Sequence, residues 1–113
     1  MKGKNIMVYF AGSRCSAKAG KYENGQVSIK LFDYRRRYCA VATIALDAAG
    51  LRDTFELSKI PEGWVIIKDY HENKGIFDAF VKAQIVTEEG AEYANLYSYR
   101  IKVVLCKLIT ELP

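Results

Sequence analysis

The sequence predicts an α+β fold: an antiparallel β-sheet of four to five strands with one main helix packed on one face, in a single domain over residues 1–113. Three observations predict it. Val27, Ile29 and Leu31 alternate with Ser28 and Lys30, the period of a half-buried strand. Trp64-Val65-Ile66-Ile67 is an apolar run of strand length. Ile76, Phe77, Phe80, Val81 and Gln84 share one helical face, with Asp78 and Lys82 on the other. The chain has 113 residues, 50% hydrophobic and 27% charged. That composition suits one core with a radius of gyration near ~13 Å and excludes disordered, collagen-like and disulfide-scaffold classes.

In chain order, residues 6–11 are a short β-branched and aromatic run that predicts a strand. Residues 12–20 lack apolar periodicity and predict a basic loop. Asn24-Gly25 is a tight-turn pair leading into the alternating strand. Residues 38–46 are a second β-prone run, joined to the first through Asp33-Tyr34-Arg35-Arg36-Arg37, so the two predict an antiparallel hairpin with a strongly basic tip. Residues 47–57 mix turn and helix signals and predict irregular chain or a short helix. Pro61-Glu62-Gly63 is a turn that launches the apolar strand at Trp64. The helix is expected over residues 75–85, with Asn73 as its N-cap. Glu88-Glu89-Gly90 ends a connection. Tyr97, Tyr99, Ile101, Val103 and Leu105 then alternate with Ser98, Arg100 and Lys102 in a long closing strand.

Charge is distributed unevenly. Residues 1–37 carry nine Lys or Arg against Glu23 and Asp33, a balance of +7, whereas residues 38–113 carry eight bases against eleven acids, a balance of −3. A basic first third attracts polyanions and steers association with acidic partners, an effect that salt weakens. The three cysteines, Cys15, Cys39 and Cys106, are odd in number and far apart, which predicts reduced thiols. Cys39 and Cys106 lie in apolar runs where a thiol acts as a small hydrophobe. Cys15 lies beside Arg14 in the expected loop, either as a bystander or with a thiol pKa lowered by the cation.

Several chemistries are disfavoured. The single histidine, His71, sits between Tyr70 and Glu72, away from any Gly-x-Ser or cysteine context, so a hydrolase triad has no base. Cys15, Cys39, His71 and Cys106 are each more than twenty positions from the next, which is not the paired spacing of structural zinc. Neither a phosphate-binding loop nor a dinucleotide fingerprint is present, and Glu88 and Glu89 read as solvated charge. No enzyme activity, cofactor or metal is expected. No apolar stretch approaches the ~20 residues of a membrane span. Met1-Lys2-Gly3-Lys4-Asn5 lacks a leader pattern, so no membrane contact and a cytoplasmic location are expected.

The sharpest functional feature is the tip Tyr34-Arg35-Arg36-Arg37-Tyr38, where three guanidiniums between two aromatics can pair with phosphates or carboxylates and stack on bases. In a tight loop the three arginines cannot all point one way. Arg14 and Lys18, with Lys21 and Lys30, extend the basic patch. A solvated turn whose charge keeps sheet edges soluble is the competing explanation. Tyr93, Tyr97, Tyr99 and Arg100 form a second cluster, with interface composition on one reading and plain strand propensity on the other.

The junction Lys68-Asp69-Tyr70, Glu72-Asn73 and Gly75, within the segment from Ile67 to Phe80, resembles a family of small uncharacterised proteins carried by phages, plasmids and conjugative elements. Agreement is looser over residues 22–109. Lys74 and Gln84 depart from the pattern, which carries an acidic residue and a glycine there. The resemblance brings no catalytic residues. It implies a host-directed inhibitor or accessory factor that occupies a surface of a host protein or complex, an anti-defence or anti-CRISPR role being one form. The alternative is a nucleic-acid-binding accessory protein that uses the same basic tip. A homodimer through a tyrosine-bearing edge strand is compatible with either.

Overall fold

The computed structural model describes residues 6–48, 50–96 and 100–113. Strands β1 (Met7–Phe10), β2 (Ser13–Lys21), β3 (Val27–Phe32) and β4 (Tyr38–Val41) form an antiparallel meander in sequence order. A second antiparallel sheet is ordered β5-β7-β6, from β5 (Trp64–Lys68), β6 (Val86–Leu96) and β7 (Ile101–Leu108). The described residues add two short helices, α1 (Leu51–Phe55) and α2 (Ile76–Lys82). The α+β class holds, and the Cα radius of gyration is 13.3 Å. Two sheets of four and three strands stand where one sheet of four to five was expected.

The segment after β4 joins the sheets. Ala42 N–H donates to Ile29 O of the first sheet (2.8 Å), while Ala42 O accepts from Lys68 N–H of the second (2.8 Å). Thr43 bridges to Ile67, and Ile44 N–H donates to Ile66 O (3.0 Å). Thr43 is buried with its hydroxyl engaged by Ile29 N–H (3.1 Å) and Tyr22 OH (3.0 Å), so the crossing leaves no buried polar atom unpaired there.

The two faces of each sheet have different fates. Val8, Cys15, Ala17, Ile29 and Leu31 on the inner face of the first sheet meet Val65, Ile67, Val104 and Cys106, with Ile76, Phe77 and Phe80 of α2 in the same core. On the far side of the second sheet, Ile66, Val103 and Leu105 are covered by Leu46, Leu51 and Phe55. Within the second sheet β5 and the adjoining stretch of β7 are therefore buried on both faces, whereas β6 is exposed over most of its length. This is why β5 reads as an unbroken apolar run while β3, covered on one face, alternates.

The start of α2 rests on Asp69 rather than Asn73. The buried Asp69 carboxylate accepts from Gly75 N–H and Phe77 N–H (both 2.9 Å), satisfying donors that the first turn leaves free. The expected cap, Asn73, instead sits in a 3₁₀ turn and donates its side-chain amide to Val41 O (2.7 Å), tying the turn to the end of β4. The helix ends in a Schellman arrangement: Ile85 N–H bonds Phe80 O and Gln84 N–H bonds Val81 O, both at 3.0 Å. Gln84 adopts φ 59°. Glycine is favoured at this left-handed position, and it is the residue the resemblance led one to expect here.

Other expectations are corrected. Residues expected as a basic loop form β2, because Ala11 (φ 52°) and Gly12 (φ 78°) make a two-residue hairpin turn of the primed kind that registers Phe10 against Ser13. Glu88-Glu89-Gly90 lies within β6, where the register slips between Thr87 and Glu92. β4 is shorter than the expected run, and the closing strand begins at Ile101; Tyr97 and Tyr99 lie outside the described residues. The cysteine environments are reversed. Cys15 points into the core, whereas Cys39 is exposed at the β3–β4 bulge. Burial, with Cys39 and Asp33 nearby, pushes the Cys15 thiol up, so Arg14 does not activate it. Burial pushes Cys106 up to about 12.

Candidate nucleic-acid interface

The outer face of the first sheet follows from register. With Val8, Cys15, Ala17, Ile29, Leu31 and Ala40 pointing inward, their strand neighbours must point out. Tyr9 stands opposite Arg14, Met7 opposite Ser16, Ser16 opposite Phe32 and Phe32 opposite Tyr38. Lys18 stands opposite Lys30, with Val41 beyond it. Tyr9 is 73% exposed and Tyr38 59%. The rings of Phe32 and Tyr38 meet edge to face at 6.3 Å. Strands β1 to β4 contain no Asp or Glu. The face carries Phe32 and Tyr38 side by side in one cross-strand row and Tyr9 on the far side of β2, with Arg14, Lys18 and Lys30 around them.

Two like charges lie directly across from one another on this face. A Lys–Lys cross-strand pair opposes folding, the reverse of an opposite-charge pair. The Lys18 ammonium is 5.9 Å from the Phe32 ring centroid, a cation–π contact that holds one of the two amines over the aromatic row.

The arginine tip divides into three. Asp33 organises it: Oδ1 accepts from the amides of Arg35 and Arg37 (2.9 Å each), and Oδ2 pairs with Arg37 Nε (2.8 Å). Hydrogen bonds from the Arg37 backbone, then from its side chain and the Arg35 backbone, hold the Asp33 carboxyl below the usual carboxylate range. Arg37 is thus committed to the loop. The Arg35 guanidinium lies 5.3 Å from the Tyr34 ring centroid, and both side chains project from the tip. Arg36 takes φ 63°, the position glycine favours at the end of a three-residue hairpin loop, at a cost of about 1 kcal/mol. Its side chain lines a depression of about 290 Å³ with Ser16, Lys18 and Phe32.

Of the residues singled out from sequence, Arg14, Lys18, Tyr38 and Arg36 therefore converge on the outer face or its edge. Tyr34 and Arg35 extend beyond it, and Arg37 is spent on Asp33. Tyr9, Phe32 and Lys30 complete the arrangement. Tyr9 and Phe32 were missed as site residues because their partnership depends on a strand that local pattern does not reveal. Elsewhere, Tyr93 packs edge-on against Phe77 at 5.7 Å with the Lys102 amine 5.7 Å from its ring centroid, Arg100 is exposed, and exposed His71 stacks edge-on against Tyr70. Among the described residues no three His, Cys, Asp or Glu side chains gather as a metal would need, and no helix is long and apolar enough to cross a membrane.

In chemical terms the face offers cations that can pair with phosphates or carboxylates and flat rings that can stack. Comparison of the chain with protein-family models, with curated proteins and with solved structures finds no match.

Proposed function

We propose that this is a non-enzymatic, cytoplasmic binding protein that captures single-stranded nucleic acid on the outer face of its first sheet. One observation carries the reading: four strands without an acid bear Arg14, Lys18 and Lys30 among Tyr9, Phe32 and Tyr38, on a face that no described element covers. Taking α2 as the main helix, packed on the core side, explains why that outer face is free. Unpaired bases can stack on exposed rings while cations track the phosphates. Duplex DNA would have to offer its major groove to a helix or ribbon, and a flat four-stranded face fits it poorly.

A second reading places an acidic protein surface on the same face. Tyrosine, arginine and methionine are residues enriched at protein interfaces, and Met7, Tyr9, Arg14, Arg36 and Tyr38 supply them together. With the resemblance to mobile-element proteins, this reading makes the chain a host-directed inhibitor that fills a nucleic-acid site. The test is fluorescence anisotropy of a labelled twelve-nucleotide oligothymidylate and of a duplex of equal length, across a salt series. Four phosphate contacts, from Arg14, Lys18, Lys30 and Arg36, give a log–log salt slope of about −3 for the single strand. Duplex preference or absence of binding overturns the first reading. A nuclease-resistant acidic host partner lost with Arg36→Glu establishes the second.

A further inference from the structure

At the edge of the basic face, Lys21 ends β2 and borders two neighbouring spaces. On one side it borders a depression shared with Lys18, Ser28, Lys30 and Phe32 of the outer face, although its register with Val27 gives its side chain the opposite parity. On the other it lines a cleft between the Asn24-Gly25 turn and the segment leading into β5. The cleft has two lobes. The larger, about 420 Å³, gathers Lys21, Lys59 and Arg52; the smaller, about 220 Å³, lies between Val27, Ile60, Pro61 and Trp64. Lys21, Gln26 and Ile60 line both, so the two are continuous.

Its walls are held in place. Gln26 is buried and spans the next segment, donating to Ile44 O (2.9 Å) and accepting from Leu46 N–H (2.9 Å). Arg52 is occupied by Asp47 and by Ser58 O, which fixes the approach to Lys59. Trp64 is half-buried, and its indole corner lies 3.6 Å from where a β-carbon would stand on Gly90 in β6. The amines of Lys21 and Lys59 make no ion pair among the described residues. Glu62 is the one acid in the lining. An acceptor there suits a sugar hydroxyl or an exocyclic amine, while two free amines call for an anion. Lys21, Gln26, Ile60 and Glu62 are common to both lobes; the larger adds Arg52 and Lys59 and the smaller adds Val27, Pro61 and Trp64. The extra cations thus gather at one end and the ring at the other, the arrangement a phosphate and a base call for.

We infer that this cleft is a one-nucleotide subsite, continuous with the basic face through Lys21, that takes a phosphate between Lys21 and Lys59 and a base against Trp64, Ile60 and Pro61. The inference rests on the proposed binding of single strands and extends it. Trp64 is the sole tryptophan, so its emission reports on the cleft alone, while anisotropy of a labelled oligonucleotide reports on the whole protein.

The experiment titrates the full chain with the labelled oligothymidylate, following both signals, and separately with adenosine 5′-monophosphate and adenosine. Trp64 emission should be quenched in step with the anisotropy, and the monophosphate should quench it more effectively than the nucleoside. Lys59→Glu, at an exposed side chain, should abolish the quenching and weaken oligonucleotide affinity roughly ten- to thirty-fold. Anisotropy that rises while Trp64 emission stays constant, with Lys59→Glu unchanged in affinity, overturns the subsite and leaves the binding face standing. If the oligonucleotide does not bind, the proposed function fails. The cleft then survives as a mononucleotide site if the monophosphate quenches Trp64 in the parent and not in Lys59→Glu, and falls if it does not.

Discussion

Replacing Lys30 by glutamate should raise the stability of the fold and lower its affinity for single strands in the same molecule. Lys18 and Lys30 are cross-strand partners on an open face. A like-charge pair there is destabilising and an opposite-charge pair contributes roughly 0.2–1 kcal/mol, so the exchange is worth about 0.5–1.5 kcal/mol in favour of folding. For a chain of this size that raises Tm by roughly 2–6 °C. Lys30 is the better position because Lys18 keeps its place over the Phe32 ring. Binding moves the other way. An ammonium beside a phosphate is worth about 1 kcal/mol in water, and reversing its sign doubles the change, so affinity should fall roughly 30-fold. The salt slope should flatten by about 0.7 as one phosphate contact is lost. Calorimetric melting and oligonucleotide anisotropy on the same preparation test both halves. A lower Tm would refute the assignment of Lys18 and Lys30 to one face, and unchanged affinity would remove that face from the function.

Four further outcomes are expected. Gln84→Gly relieves the left-handed position that ends α2 and should stabilise the protein by about 0.5–1 kcal/mol in urea denaturation; a loss would contradict the Schellman ending. Asp69→Ala leaves Gly75 N–H and Phe77 N–H unpaired and should cost about 2–3 kcal/mol, with Asp69→Asn costing less because one acceptor oxygen remains. The folded carboxyl of Asp33 titrates below its unfolded value. Its hold on the tip is therefore complete above about pH 4 and is lost as pH falls through the lower folded value. The amide shifts of Arg35 and Arg37 should stay constant from pH 7 to 5 and move only in stronger acid, whereas movement near pH 6 would be incompatible with this arrangement. Maleimide should label Cys39 in the native protein while Cys15 and Cys106 react only on unfolding, and mass spectrometry of early adducts would expose the opposite order.

Much of the fold was legible locally. The alternation at Val27 to Leu31, the Asn24-Gly25 turn, the basic hairpin after it, the apolar run at Trp64 and the amphipathic stretch containing Ile76, Phe77 and Phe80 each carry their own period or turn chemistry, and each forms the expected kind of element, with β4 and α2 shorter than residues 38–46 and 75–85. That three arginines in a tight loop must diverge was also evident, and Asp33 supplies the reason. The ends of α2 were harder to read. Asn73 has the right chemistry for a cap, but Asp69 reaches the free amides because the 3₁₀ turn folds the chain back.

Tertiary structure decided the rest. Nothing in the small and polar residues of β2 marks a strand; it forms because the Ala11-Gly12 turn returns the chain alongside β1 while β3 offers a ladder on its other edge. Once β2 is paired, every second residue turns inward, which buries Cys15 and sets Arg14 and Lys18 outside among Tyr9, Lys30 and Phe32. The bulge at Cys39 exposes a thiol that its apolar neighbours suggested was buried. The crossing at Ala42 to Ile44 then divides one expected sheet into two, leaving one face bare and enclosing β5 and the adjoining stretch of β7 in the other sheet. By itself the sequence determined which segments carry a strand or helix period and where positive charge accumulates. Tertiary structure alone decided which rings and cations share a surface, because cross-strand register depends on turns and pairing partners that local periodicity does not encode.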